Sequence, residues 1–96
     1  MITKTIYKTK DYSKVKFLVA HETAETIAVM GLNNDWQKGV ILSKKKDGSF
    51  TAEVQLPKNT SHEFKYLVNN QDWLLEEEAD GTVANSFGST NSLVTV

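Results

Sequence analysis

Apolar and polar residues alternate along much of this chain. From Ser49 to Leu56, Phe50, Ala52, Val54 and Leu56 fall at every second position, with Ser49, Thr51, Glu53 and Gln55 between them. Successive side chains of an extended chain point to opposite faces, so the spacing predicts a strand with one apolar and one polar face. Glu63 to Val68 repeats it, with Phe64, Tyr66 and Val68 on one side and Glu63 and Lys65 on the other; Leu67 breaks the polar face. Thr26 to Gly31 places Ile27 and Val29 together. Val15 to Ala20 and Leu93 to Val96 are more uniformly apolar, as central strands are. Ile2 to Tyr7 and Val40 to Leu42 read as a weaker opening strand and a short one.

Turn chemistry separates these runs. Asp47-Gly48 is a strong hairpin signal, and Asn69-Asn70 tolerates the left-handed backbone of a tight turn. Pro57 ends its strand because it has no N–H for a ladder. One helical turn is expected, Leu74 to Ala79, closed by Gly81. About seven to eight short strands in a chain of this length predict an all-β, immunoglobulin-like sandwich, with an up-and-down barrel as the competing arrangement.

Composition narrows what such a sandwich can do. The 96 residues suffice for one domain, with 40% hydrophobic and 24% charged residues. The net charge is −1 and every cation is Lys, so neither nucleic acid nor an anionic membrane is an expected partner. The absence of Cys removes disulfides, thiolate metal sites and Cys nucleophiles. No apolar run approaches the roughly 20 residues of a membrane span, and no signal-peptide core is visible, so a cytoplasmic location is expected.

Little points to catalysis, a cofactor or a metal. His21 and His62 have no partner at a metal-ligand spacing, and both are expected to face solvent or sit in turns. Neither a nucleophile elbow nor a glycine-rich phosphate loop is present. The acids Asp72, Glu76, Glu77, Glu78 and Asp80 fail as a calcium loop, because counting from Glu76 puts Phe87 where the bidentate Glu belongs. They read instead as a solvated acidic face, as Lys44-Lys45-Lys46 reads as a solvated strand end. Asn59-Thr60-Ser61 is a glycosylation sequon without meaning in a protein that is not secreted.

The aromatics carry more. Phe17, Phe50, Phe64 and Tyr66 lie in strand runs and are expected in the core. Trp36 and Trp73 instead lie among Asn, Asp and Gln after strands. Each could cover an open end of the sandwich or stand exposed. An exposed indole suits a sugar. One face of a glucose ring is lined with C–H groups and can lie flat on an aromatic plane, while Asn, Ser and Lys bond the rim hydroxyls.

Three ordered segments resemble the signatures of carbohydrate-binding module family 48, the isoamylase early-set domain, which includes the glycogen-binding domain of the AMP-activated protein kinase β-subunit. They are Gly31-Leu32-Asn33-Asn34-Asp35-Trp36, then Glu63 to Val68 with Asn69-Asn70 and Trp73, then Phe87-Gly88-Ser89-Thr90-Asn91-Ser92. The likeness spans Val15 to Val96, leaving Met1 to Lys14 as an N-terminal strand or arm. It implies non-catalytic binding of α-1,4-linked glucan such as glycogen, starch or maltodextrin. By the same resemblance Trp36 and Trp73 would stack on glucose, Lys65 would bond hydroxyls, and Phe87, Ser89 and Asn91 would complete the site. No catalytic residue, metal or cofactor is implied. Leu32 replaces the usual aromatic of the first motif, and Leu74 to Glu78 replaces an Asp-Pro pair. The other expectation is a protein-interaction module that docks on a partner enzyme through the same Trp residues, with sugar binding lost.

Overall fold

A computed structural model describes residues 1–96 as two antiparallel sheets packed face to face. There are ten strand segments: β1 (Ile2–Ile6), β2 (Tyr12–Ala20), β3 (Ile27–Met30), β4 (Val40–Ile41), β5 (Ser43–Lys44), β6 (Ser49–Pro57), β7 (Ser61–Val68), β8 (Asp72–Leu74), β9 (Gly81–Ala84) and β10 (Thr90–Thr95). One sheet has the order β1-β2-β6-β5, and the other β4-β3-β7-β10-β9 with β8 also paired to β7. Two separate sheets make a sandwich of immunoglobulin-like shape, not a closed barrel.

The period-two runs form the inner faces. In β2, Val15, Phe17 and Val19 are buried while Lys14, Lys16 and Leu18 are less so. Phe50 and Leu56 of β6 face them from the same sheet. Phe64, Tyr66 and Val68 of β7, with Ile27, Val29 and Val94, supply the opposite face. Phe17 reaches across to Phe64 and Tyr66 in edge-to-face contacts with ring centroids 5.3 and 6.4 Å apart. Each such fully buried side chain contributes about 1.5–3 kcal/mol of burial energy. The four strand aromatics expected in the core are all there.

Both turn signals act as expected. Gly48 at φ 88 lies between β5 and β6, and Asn69 and Asn70 at φ 54 and 56 join β7 to β8. The Asn69 side-chain oxygen also accepts the N–H groups of Glu25 and Thr26, tying this turn to the start of β3.

Three local expectations are corrected. Leu74 to Ala79 is not a helical turn: Leu74 ends β8, and the following residues form a loop. Three consecutive Glu near a helix C-terminus would oppose the helix dipole. The helical turn of the chain is instead the short 3-10 segment Leu32–Asn34. Glu76 is not on a solvated face but is buried. Its Oε1 accepts from the Tyr66 hydroxyl and from the Met1 ammonium, each at 2.6 Å, and Oε2 accepts from the N–H of Glu78. His62 is not exposed either; it is buried in β7. His21 does sit in a turn, where Nδ1 accepts the N–H groups of Thr23 and Ala24.

Candidate functional site

Strand geometry assembles the site on the outer face of the six-stranded sheet. Glu63, Lys65 and Leu67 alternate with the core residues of β7 and so share its outer face. Trp73 lies directly opposite Leu67 in β8, which puts the indole on that face too. It therefore belongs to a strand and not to the polar loop expected from its neighbours. In β10, Ser92 pairs with Phe64 and is fully buried, so the preceding Asn91 points outward beside Glu63. Its Nδ2 donates to Glu63 Oε1 at 3.1 Å.

The first motif brings Trp36 to the same place. Gly31 ends β3 at φ 103, a left-handed conformation that other residues rarely adopt. A Cβ there would lie 2.6 Å from the Glu63 carbonyl oxygen and 2.6 Å from the Trp36 ring, so the indole rests against bare backbone. Leu32 is buried in the core and anchors the turn. Asn33 and Asn34 at φ 56 and 60 reverse the chain. The Asp35 carboxylate accepts the N–H groups of Lys38 and Gln37, which hold its pKa below the ordinary 3.8.

His62 latches this loop to β7. Its Nδ1 accepts the N–H of Asn33 at 3.1 Å. Its Nε2 lies 2.8 Å from the Thr60 hydroxyl, which donates to the Pro57 carbonyl. An Nδ1 that accepts requires the proton on Nε2, so the ring is held neutral. Burial pushes its pKa below 6.5 in the same direction.

The third motif is a loop between β9 and β10. The Asn85 side-chain oxygen accepts the N–H groups of Phe87 and Ser89, and Asn85 N–H donates to the Ser89 carbonyl. Gly88 provides the positive φ of 78 that the turn requires. Phe87 projects from its tip, 93% exposed. Ser89 Oγ accepts from Lys65 Nζ at 3.0 Å.

The result is an open cleft of about 680 Å³. Trp36, Lys65, Trp73, Phe87, Ser89 and Asn91 all line it. The two indoles meet edge to face, with centroids 6.4 Å apart and planes inclined at 67°. Trp36 is 36% exposed and Trp73 53%, so neither is packed inside. Lys65 was expected on a polar strand face; it is on that face yet buried, because the cleft walls close around its stem.

Glu63 and Asn85 also line the cleft and were not singled out as site residues. The alternation of β7 already put Glu63 beside Lys65 and could have flagged it. Asn85 carried only the weaker signal of an Asn opening a Gly-containing turn.

The sequence matches the family model described as the glycogen recognition site of AMP-activated protein kinase, over residues 12–96. The chain belongs to this family. The match takes in every cleft residue and stops short of β1. No curated protein matches the chain. No three His, Asp or Glu side chains converge as a metal site would need. No helix is long and apolar enough to cross a membrane.

Proposed function

We propose that this domain binds α-1,4-linked glucan without catalysis, in the manner of glycogen, starch or maltodextrin recognition. One observation carries the reading: two half-exposed indoles from separate segments face one cleft that Lys65, Ser89 and Asn91 also line. Glucose rings would lie on Trp36 and Trp73, shedding water from both surfaces. Their rim hydroxyls would bond the Lys65 ammonium and the Asn91 amide, while Phe87 would lean on a sugar face from the loop tip. Acid–base chemistry has no place in this scheme. The one carboxylate that lines the cleft, Glu63, is bonded to Asn91, and no second one lines it as glycoside hydrolysis would need. A few stacked rings and solvent-reachable hydrogen bonds give about 4–8 kcal/mol, so affinity is expected roughly between micromolar and millimolar. The setting we favour is the cytoplasm, beside enzymes that build or degrade such polymers.

A second reading follows from Phe87, whose ring is almost wholly exposed. An aromatic so placed also suits a hot spot in docking to a partner enzyme. Titration with maltoheptaose, read by Trp fluorescence, separates the two. Saturable quenching that disappears in Trp73→Ala and weakens in Lys65→Ala supports glucan binding. A flat response up to millimolar sugar supports docking instead.

A further inference from the structure

The polar wall of the cleft contains a hydrogen-bond relay whose direction is set at both ends. At one end, Asn85 faces the backbone N–H groups of Phe87 and Ser89, at 3.0 and 3.1 Å. Backbone N–H groups only donate, so the atom facing them is Oδ1 and the Asn85 amide nitrogen faces away. That nitrogen donates to Asn91 Oδ1 at 3.0 Å. Asn91 in turn directs its own Nδ2 to Glu63 Oε1. A carboxylate accepts, so the Glu63 end selects the same orientation independently.

We propose that Asn85 is a positioning residue of the cleft: it fixes the amide polarity of Asn91 and staples the loop that carries Phe87 and Ser89. The role in ligand recognition rests on the reading of the cleft as a glucan site. Both acceptor positions of Asn85 Oδ1 are taken by the loop, and one of the two on Asn91 Oδ1 is taken by Asn85. Each amide keeps one N–H that bonds nothing in the protein. Lys65 uses one of its three protons on Ser89, whose hydroxyl accepts that bond and keeps its own proton free. The wall is therefore rich in donors, with Glu63 as its anionic acceptor. It suits ligand oxygens, and the relay prevents Asn91 from turning a carbonyl to the sugar instead.

The discriminating variant is Asn85→Asp. It keeps both acceptor bonds to the loop but cannot donate to Asn91. Asn91 then lies between two carboxylates, and turning over to donate to the new one sets its Oδ1 against Glu63. Glu63→Gln offers an N–H at that point and relieves the clash, without restoring the original polarity. Asn85→Asp is expected to weaken maltoheptaose binding roughly tenfold, both in the parent protein and in the Glu63→Gln background. It should lower the urea midpoint only in the parent. A merely structural role requires both losses to vanish together in the Glu63→Gln background, and that result overturns the proposal. So does parental affinity in Asn85→Asp. If the parent binds no glucan at all, the proposed function fails, and the relay is still decided by NMR. One Asn91 side-chain amide proton should exchange slowly with solvent and shift markedly in Asn85→Asp. An unchanged Asn91 amide signal in that variant overturns the relay.

Discussion

The two indoles of the cleft are held in different ways. Trp36 sits at the end of a loop braced at several points: Gly31 offers a bare surface, Asp35 ties the following backbone, and His62 latches Asn33. Trp73 sits in a strand of three residues, set by backbone pairing to β7. Its fastening comes just afterwards, where the Glu76 N–H donates to Ser92 Oγ and the carboxylate gathers Tyr66, Met1 and Glu78. Each wall thus depends on one buried titratable anchor, His62 for one and Glu76 for the other. An angled pair of aromatic surfaces needs both rings fixed before ligand arrives, since ordering them on binding would cost affinity.

The largest effect is expected from Gly31→Ala. The new methyl meets both the Glu63 carbonyl and the Trp36 ring, in a backbone conformation that alanine disfavours. Urea unfolding should show a loss of about 1–3 kcal/mol, and saturable glucan binding should disappear. Trp73→Ala should separate the two readouts, abolishing binding while changing stability by only about 0.5 kcal/mol, because the ring is more than half exposed. A large stability loss there would mean that this indole also braces the fold.

Acid should release the two walls in sequence. The folded pKa of His62 lies below the ordinary 6.5 because of burial. The unfolded chain therefore takes up the proton first, and the stability linked to His62 is complete above 6.5 and falls as pH drops toward the folded value. Burial pushes the Glu76 carboxyl up, but the Met1 ammonium, the Tyr66 hydroxyl and the Glu78 N–H outweigh it and hold the pKa below 4.5. Its stabilisation is complete above 4.5 and is lost only as pH falls through the lower folded value. The Trp36 indole NMR signal should therefore move at higher pH than that of Trp73. His62→Gln should remove the first transition and leave the second. Simultaneous movement of both signals would show that the walls are not anchored separately.

What the sequence disclosed follows the range of the interactions. Alternation and apolar runs are local properties: alternation located β6 and β7, the more uniformly apolar run Val15 to Ala20 located β2, and together they assigned Phe17, Phe50, Phe64 and Tyr66 to the core. Asp47-Gly48 and Asn69-Asn70 are local too, since a positive φ belongs to the residue itself. The ordered motifs grouped Trp36, Lys65, Trp73, Phe87, Ser89 and Asn91, and all six line one cleft; their part in binding is what we propose. The strands β5, β8 and β9 were not, because two to four residues carry too little pattern. The burial of His62 and Glu76 was hidden because their partners Asn33 and Tyr66 come from distant points on the chain. Among three consecutive Glu, only long-range geometry selects the one that turns inward.

Two Trp residues give two indole N–H signals, so one NMR titration with maltoheptaose reports on both walls at once. The expected result is saturable movement of both signals with a single dissociation constant. If neither signal moves at millimolar sugar, or if only one responds, the two rings do not form a common glucan platform.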